Sequence, residues 1–268
     1  MNRRLAPVLV VILLLSICAV AQDTGLQPPP AQLAARVAPP SPDASADQLM
    51  DQADLLRAQK YYLDAIDYYR AAAKKEKDKA EAAVIWNKMG IAELQLSKFG
   101  DARKSFDKAL KFDKKYPDAR NNLGVVYYMS KKYSKAIKNY RQAIALRETA
   151  SFYANLGAAY FSKKDIARAV VEYQHALQLD PSVLDRSSNT GVAARLSSPA
   201  DRAHFSYVLA RMYANAGDFS RSLDFLKRAM EEGYSQIEDV YKDQEFAGLR
   251  KDPRFSQLMT SKPVAIPQ

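Results

Sequence analysis

Histidine, cysteine and glycine are scarce in this chain of 268 residues, which holds two, one and nine of them. One cysteine, Cys18, cannot form an intramolecular disulfide, so stability rests on packing. The two histidines, His175 and His204, stand without a cysteine, without each other at helical spacing and without an HExxH run, so no metal ligand set is written. Both read as surface or helix-end residues. A phosphate-cradling glycine loop and a GxSxG elbow are also missing. The adjacent acids Glu231-Glu232 and Glu238-Asp239 would point in different directions on a helix, which disfavours a carboxylate pair. No catalytic residue, metal or cofactor is therefore expected. The shortage of glycine among long runs rich in Ala, Leu, Lys, Arg and Tyr favours helix.

The ends of the chain differ from its middle. Arg3 and Arg4 precede the apolar stretch LAPVLVVILLLSICAVA, which closes on Ala19-Val20-Ala21 before Gln22. Basic head, apolar middle and small residues before a polar one form a secretory signal over 1–21, and removal there would take Cys18 with it. The apolar run is also long enough to leave an uncleaved inner-membrane anchor as an alternative. A lipid anchor on Cys18 is disfavoured by Ile17 before it. Residues 22–45 carry six prolines and few large apolar side chains, which predicts a disordered linker. An exported, periplasmic or secreted protein is expected, with nucleic acid disfavoured as a partner by export.

Charge is unevenly distributed within a net +10. Residues 51–150 hold 22 Lys+Arg against 13 Asp+Glu, whereas residues 151–268 are nearly balanced. Either the basic stretch is a solvated outer surface, or it is a patch that adheres to an acidic protein, anionic lipid or envelope polymer.

From Ala46 onward the sequence repeats itself. NNLGVVYYMSKKYSKAIKNYRQAIAL at 121–146 returns as ANLGAAYFSKKDIARAVVEYQHALQL at 154–179, with the packing letters kept and the polar ones changed. Aligned units place Ala53, Gly90, Gly124, Gly157 and Ala210 at one point. Ala65, Ala102, Ala136, Ala169 and Ser222 follow twelve residues later, and Tyr69, Phe106, Tyr140, Tyr173 and Leu226 four further on. The small residue lies where two helices cross closely, and the apolar residues at three- and four-residue spacing make one buried stripe per helix. Each unit is thus a helical hairpin, turned near Lys131-Lys132, Lys164-Asp165 and Gly217-Asp218, that cannot bury its stripes alone and must stack on its neighbours.

Trp86 with Gly90, Leu123-Gly124 with Tyr127, Leu156-Gly157 with Tyr160, and Pro181 after HALQLD make the chain resemble the tetratricopeptide repeat family. The resemblance implies an all-α fold, a right-handed α-solenoid of stacked antiparallel helix pairs. Units 1–4 span 46–181 and unit 5 spans 203–234. Residues 182–202 form an irregular insertion, either functional or disordered. The wide interval between Ala53 and Gly90 is expected to lengthen the second helix of unit 1 by about one turn. After Gly233, the marks Gly233-Tyr234, Phe246, Leu249-Arg250 and Asp252-Pro253-Arg254-Phe255 resemble the closing segment that follows such repeats in bacterial proteins. Residues 235–259 are expected to cap the last stripe with Phe246, Leu249, Phe255 and Leu258, leaving 260–268 as a flexible tail.

The inner face of such a solenoid is lined by the first helix of each unit. Positions there not assigned to packing are Asn87, Lys88, Ile91 and Gln95; Asn121, Asn122, Val125, Tyr128 and Met129; and Asn155, Ala158, Phe161 and Ser162. Asparagine amides can pair with the backbone of an extended peptide while Tyr128 and Phe161 anchor its apolar side chains. The same asparagines can instead tie one helix to the next. Lys88, Asn121 and Asn122 partly echo the Lys, Asn and Arg set with which family members hold a terminal carboxylate. The expected function is a non-catalytic scaffold of the cell envelope that grips a partner peptide or helix in its groove.

Overall fold

A computed structural model describes residues 37–184, 198–261 and 263. The signal at 1–21, the first part of the linker, the centre of the insertion at 185–197 and most of the tail lie outside the described residues. Five helical hairpins follow in order: α1 (Ala46–Ala58) with α2 (Tyr62–Lys75), α3 (Lys79–Gln95) with α4 (Phe99–Phe112), α5 (Pro117–Met129) with α6 (Tyr133–Leu146), α7 (Ala150–Ser162) with α8 (Ile166–Leu179), and α9 (Pro199–Asn215) with α10 (Phe219–Glu231). Three short 3₁₀ turns between Ile237 and Lys251 lead to α11 (Pro253–Ser261). The molecule is an all-α solenoid of stacked helix pairs.

Each hairpin closes in the same way. Lys60, Ser97, Lys131, Lys164 and Gly217 adopt positive φ of 56° to 79° just after a first helix. At each, one amide reaches back five residues and the amide before it three, as in Lys132 to the Tyr127 carbonyl and Lys131 to the Tyr128 carbonyl. This double bond satisfies carbonyls that a helix end leaves bare, and it offsets the cost, roughly 1 kcal/mol, of holding a residue with a Cβ in the left-handed region.

The small residues sit at the crossings, where a ring from the second helix lies on the backbone of the first. A Cβ added to Gly90 would lie 2.6 Å from the Phe106 ring, one on Gly124 2.5 Å from Tyr140, and one on Gly157 2.7 Å from Tyr173. Those rings, with Tyr69, are fully buried. In the last hairpin Leu226 replaces the ring opposite Ala210, and Ser222 donates its hydroxyl to the Ala210 carbonyl at 2.7 Å. Burial holds the Tyr140 and Tyr173 hydroxyls protonated, their pKa values raised well above the ordinary tyrosine range.

The core runs along the stack rather than around one centre. One cluster joins α1 and α2 to Ile85, Met89 and Ala92 of α3, a second joins α4 to α5, and the third continues from Tyr128 to the cap. Successive first helices α3, α5 and α7 approach one another more closely than successive second helices do, so the stack curves toward its first helices.

Three expectations need correction. Residues 37–45, assigned to the linker, pack against α2: the Tyr68 hydroxyl donates to the Ala38 carbonyl at 3.0 Å, the Lys75 ammonium donates to the carbonyls of Pro42 and Ala44, and Ser45 caps α1. Proline leaves carbonyls free to accept, and α2 supplies the donors. The long interval between the first two units does not lengthen α2. Glu76 accepts from the amides of Lys77 and Asp78 and ends the helix, and Asp78 then caps α3, which gains an extra N-terminal turn. The insertion is also shorter than 182–202, because Val183 and Leu184 are buried against the third cluster and α9 starts at Pro199 behind its cap Ser198.

The C-terminal segment closes the apolar stripe of α9 and α10. Val240, Phe246 and Leu249 are fully buried, Phe255 and Met259 nearly so, and Leu258 packs at the margin. Arg211 of α9 holds the segment by ion pairs to Asp243 and Glu245, and Arg250 donates to the carbonyls of Val240 and Asp243.

Candidate functional site

The asparagines on the first helices form a ladder. Asn87 of α3 donates to the Tyr116 hydroxyl at 3.4 Å and accepts from Asn122 of α5 at 3.0 Å. Asn121 donates to Asn122 at 3.3 Å and accepts from Asn155 of α7 at 3.0 Å. Asn87, Asn121 and Asn155 are 5%, 7% and 2% exposed, so their amides serve the joints between units.

This overturns part of the expected groove. Tyr128 is buried, its hydroxyl 2.9 Å from that of Ser162 one unit on, and its pKa is pushed up to about 12 by that burial. Phe161 is 1% exposed and packs edge-on to Phe205 and beside His204. The physical reason is shared: with the stack curved inward, neighbouring first helices press on one another, so inward-facing side chains at the joints become core. Asn87, Asn121, Asn155, Tyr128, Ala158 and Phe161 are therefore packing residues.

The other candidates keep accessible surface. Lys88 forms an ion pair of 2.5 Å with Asp54 of α1, which also accepts from the Tyr69 hydroxyl. Burial works to raise the Asp54 pKa, but these hydrogen bonds and the charge of Lys88 outweigh it and hold the carboxyl ionised below its usual range. Ile91, Asn122, Val125 and Met129 are half-buried on the inner side of α3 and α5. The inner face thus presents an apolar strip with the Asn122 amide within it and Lys88 at its edge. Sequence reasoning placed Ser162 on the inner face but missed Asp54 and Tyr116, having no signal for contacts that reach from one unit into the next.

His175 lies on the surface as expected, and His204, near the start of α9, is more enclosed. His175 is exposed beside Tyr153 and 3.8 Å from Glu172. His204 is half-buried, stacked on Tyr234, and burial, with the nearby Lys164, lowers its pKa. Among the described residues no group of His, Cys, Asp and Glu is arranged to hold a metal, and no helix is long and apolar enough to cross a membrane.

Comparisons with known proteins bear on the same helical hairpins. Tetratricopeptide-repeat profiles match residues 81–149 and 150–183. These residues are tetratricopeptide repeats. Among solved structures, MamA from Desulfovibrio magneticus RS-1 is 22% identical, covering 71% of this chain and 96% of its own, with a TM-score of 0.49. YrrB, described as a TPR protein with an unusual peptide-binding site, is 17% identical over 74% of this chain and 91% of its own, with a TM-score of 0.47. The Cut9–Hcn1 hetero-tetramer of the APC/C matches at 18% identity over 74% of this chain and 35% of that one, with a TM-score of 0.50. These likenesses concern the fold. No curated protein matches the sequence. Tetratricopeptide-repeat solenoids are in general non-catalytic protein-interaction scaffolds, and no enzyme family is indicated.

Proposed function

We infer that this protein is an exported envelope scaffold that grips an apolar segment of a partner protein, extended or helical, along the inner face of its tetratricopeptide repeats. The observation that carries this reading is the half-buried strip of Ile91, Val125 and Met129, with Asn122 as its one polar member, held rigid from behind by the asparagine ladder. Preformed apolar surface with a fixed hydrogen-bonding amide lowers the entropic cost of binding a flexible segment. The export signal, read from 1–21, supports the envelope placement, with periplasmic release after Ala21 preferred over retention on an inner-membrane anchor.

A photo-crosslinking residue placed at Val125 or Met129, with Gln142 on α6 as the outer-face control, tests it in cells. A discrete adduct from the inner positions alone is expected. Equal adducts from Gln142, or none from either inner position, would remove the groove from the mechanism. N-terminal sequencing of the purified protein tests export, with Gln22 as the expected first residue.

The basic surface of units 1 to 3 offers a second mode, adhesion to anionic lipid or envelope polymer, favoured by the excess of Lys and Arg there. Co-sedimentation with anionic vesicles in the absence of any protein distinguishes this mode.

A further inference from the structure

The outer side of the stack carries a recess unrelated to the inner face. Because the second helices diverge as the stack curves, α2 and α4 stand apart, and side chains of α3 form a floor between them. The cavity is about 490 Å³. Its floor is mainly apolar, built from Met89 and the half-buried Trp86 of α3 with Ile66 of α2 beside them. Its walls are cationic: Arg70 and Lys74 come from α2, Lys98 from the turn, and Lys104 and Lys108 from α4. Arg70 and Lys104 share their charge with Asp67 and Asp101 on their own helices. Lys74, Lys98 and Lys108 form no ion pair among the described residues, and Lys108 instead stands over the Trp86 ring at 3.8 Å. Asp101 and the buried Glu93, which accepts from Ser105 at 2.6 Å, are the only acids in the lining, so cations predominate.

We propose that this recess between units 1 and 2 is a second docking site, which takes an acidic peptide segment of a partner protein with one apolar side chain on the Trp86 floor and flanking carboxylates on the lysines of both walls. Charge complementarity selects the acidic partner, since like-charged cations converging on one cavity with too few acids to match them are relieved by an anionic guest. Depth selects a peptide over a membrane: a flat bilayer meets the protruding lysines but does not reach a floor recessed between two helices. A nucleic-acid strand draws its sequence-tolerant affinity from successive aromatic platforms, and here there is one ring. The site does not depend on the inner face.

Trp86 is the only tryptophan of the chain, so its emission reports occupancy directly. The probe is a blocked pentapeptide of four glutamates around a central leucine, titrated into the full-length protein. A saturable change in emission is expected. It weakens about tenfold in the double variant Lys74→Glu, Lys98→Glu, and also on raising salt to about 0.5 M. A peptide with central alanine binds more weakly. Both substituted lysines are exposed, so a retained helical spectrum shows that the variant is folded. The inner-face variant Val125→Glu leaves this titration unchanged, which separates the outer site from the inner groove. No change in emission up to about 1 mM peptide overturns the proposal, as does equal affinity in the double variant. A response confined to phosphatidylglycerol vesicles or to oligothymidylate overturns it in favour of a lipid or nucleic-acid surface.

Discussion

At the scale of single residues, the glycines separate two roles that look identical in sequence. Gly124 lies under the Tyr140 ring, and a methyl group there would sit 2.5 Å from a ring that is fully buried and has nowhere to move. Gly124→Ala is expected to cost about 2–3 kcal/mol through overpacking. Gly100, in the first turn of α4, has nothing within 4 Å of an added Cβ, and Gly100→Ala should be neutral or stabilise by up to ~1 kcal/mol. Denaturant melts of the two variants check the contrast. Glu93 provides the second test. Burial raises its pKa, with Asp101 adding to the effect, while Ser105 and the cations Arg70 and Lys98 work against it. The native state therefore keeps this proton when the unfolded chain has lost it, so stability falls as pH rises from the ordinary glutamate range into the raised one. Glu93→Gln keeps an acceptor for Ser105 and abolishes that loss. Its melting temperature should match the parent near pH 4 and exceed it by ~1–3 °C at neutral pH. A lower melting temperature than the parent at neutral pH would mean that Arg70 and Lys98 hold an ionised Glu93.

At the scale of elements, the joints between first helices depend on the asparagine ladder. Asn121 is its central rung, accepting from Asn155 and donating to Asn122. Asn121→Ala removes both bonds in a buried setting and should destabilise by about 1–3 kcal/mol, with faster amide exchange in α5 and α7 as the local signature. Exchange confined to α5 would show that Asn155 finds an adequate substitute. Helix length at the first joint and the docking of residues 37–45 on α2 were not legible in composition. Both turn on individual donors and acceptors, Glu76 and Asp78 in one case, Tyr68 and Lys75 in the other. The hairpins themselves were legible, since the interval from small residue to ring is the geometry of one helix crossing the next.

At the scale of the whole molecule, stability is a chain of neighbour contacts, so weak joints divide it. The joint between the fourth and fifth hairpins follows the insertion, and α8 and α9 touch little. Aromatic contacts from Phe205 of α9 compensate, with ring centroids 5.6 Å from Phe161 and 5.4 Å from Tyr173. Phe205→Ala should therefore cost about 2–4 kcal/mol and also split a single unfolding transition into two. Differential scanning calorimetry checks this. One sharp transition at a lower temperature would show that the joint is held elsewhere.

The repeat, the hairpin turns and the crossings at Gly90, Gly124 and Gly157 were all determined by the sequence alone, because each rests on local periodicity and on side-chain size at a fixed spacing. Which inward-facing side chains remain open to a partner was decided only by the tertiary structure. A residue such as Asn121 or Phe161 has the same helical address whether it meets water or the next unit, and the curvature of the stack, a sum over all its joints, chooses between the two. The recess at Trp86 has the same origin: it exists because second helices spread apart where first helices converge, and that spacing is written in no single unit.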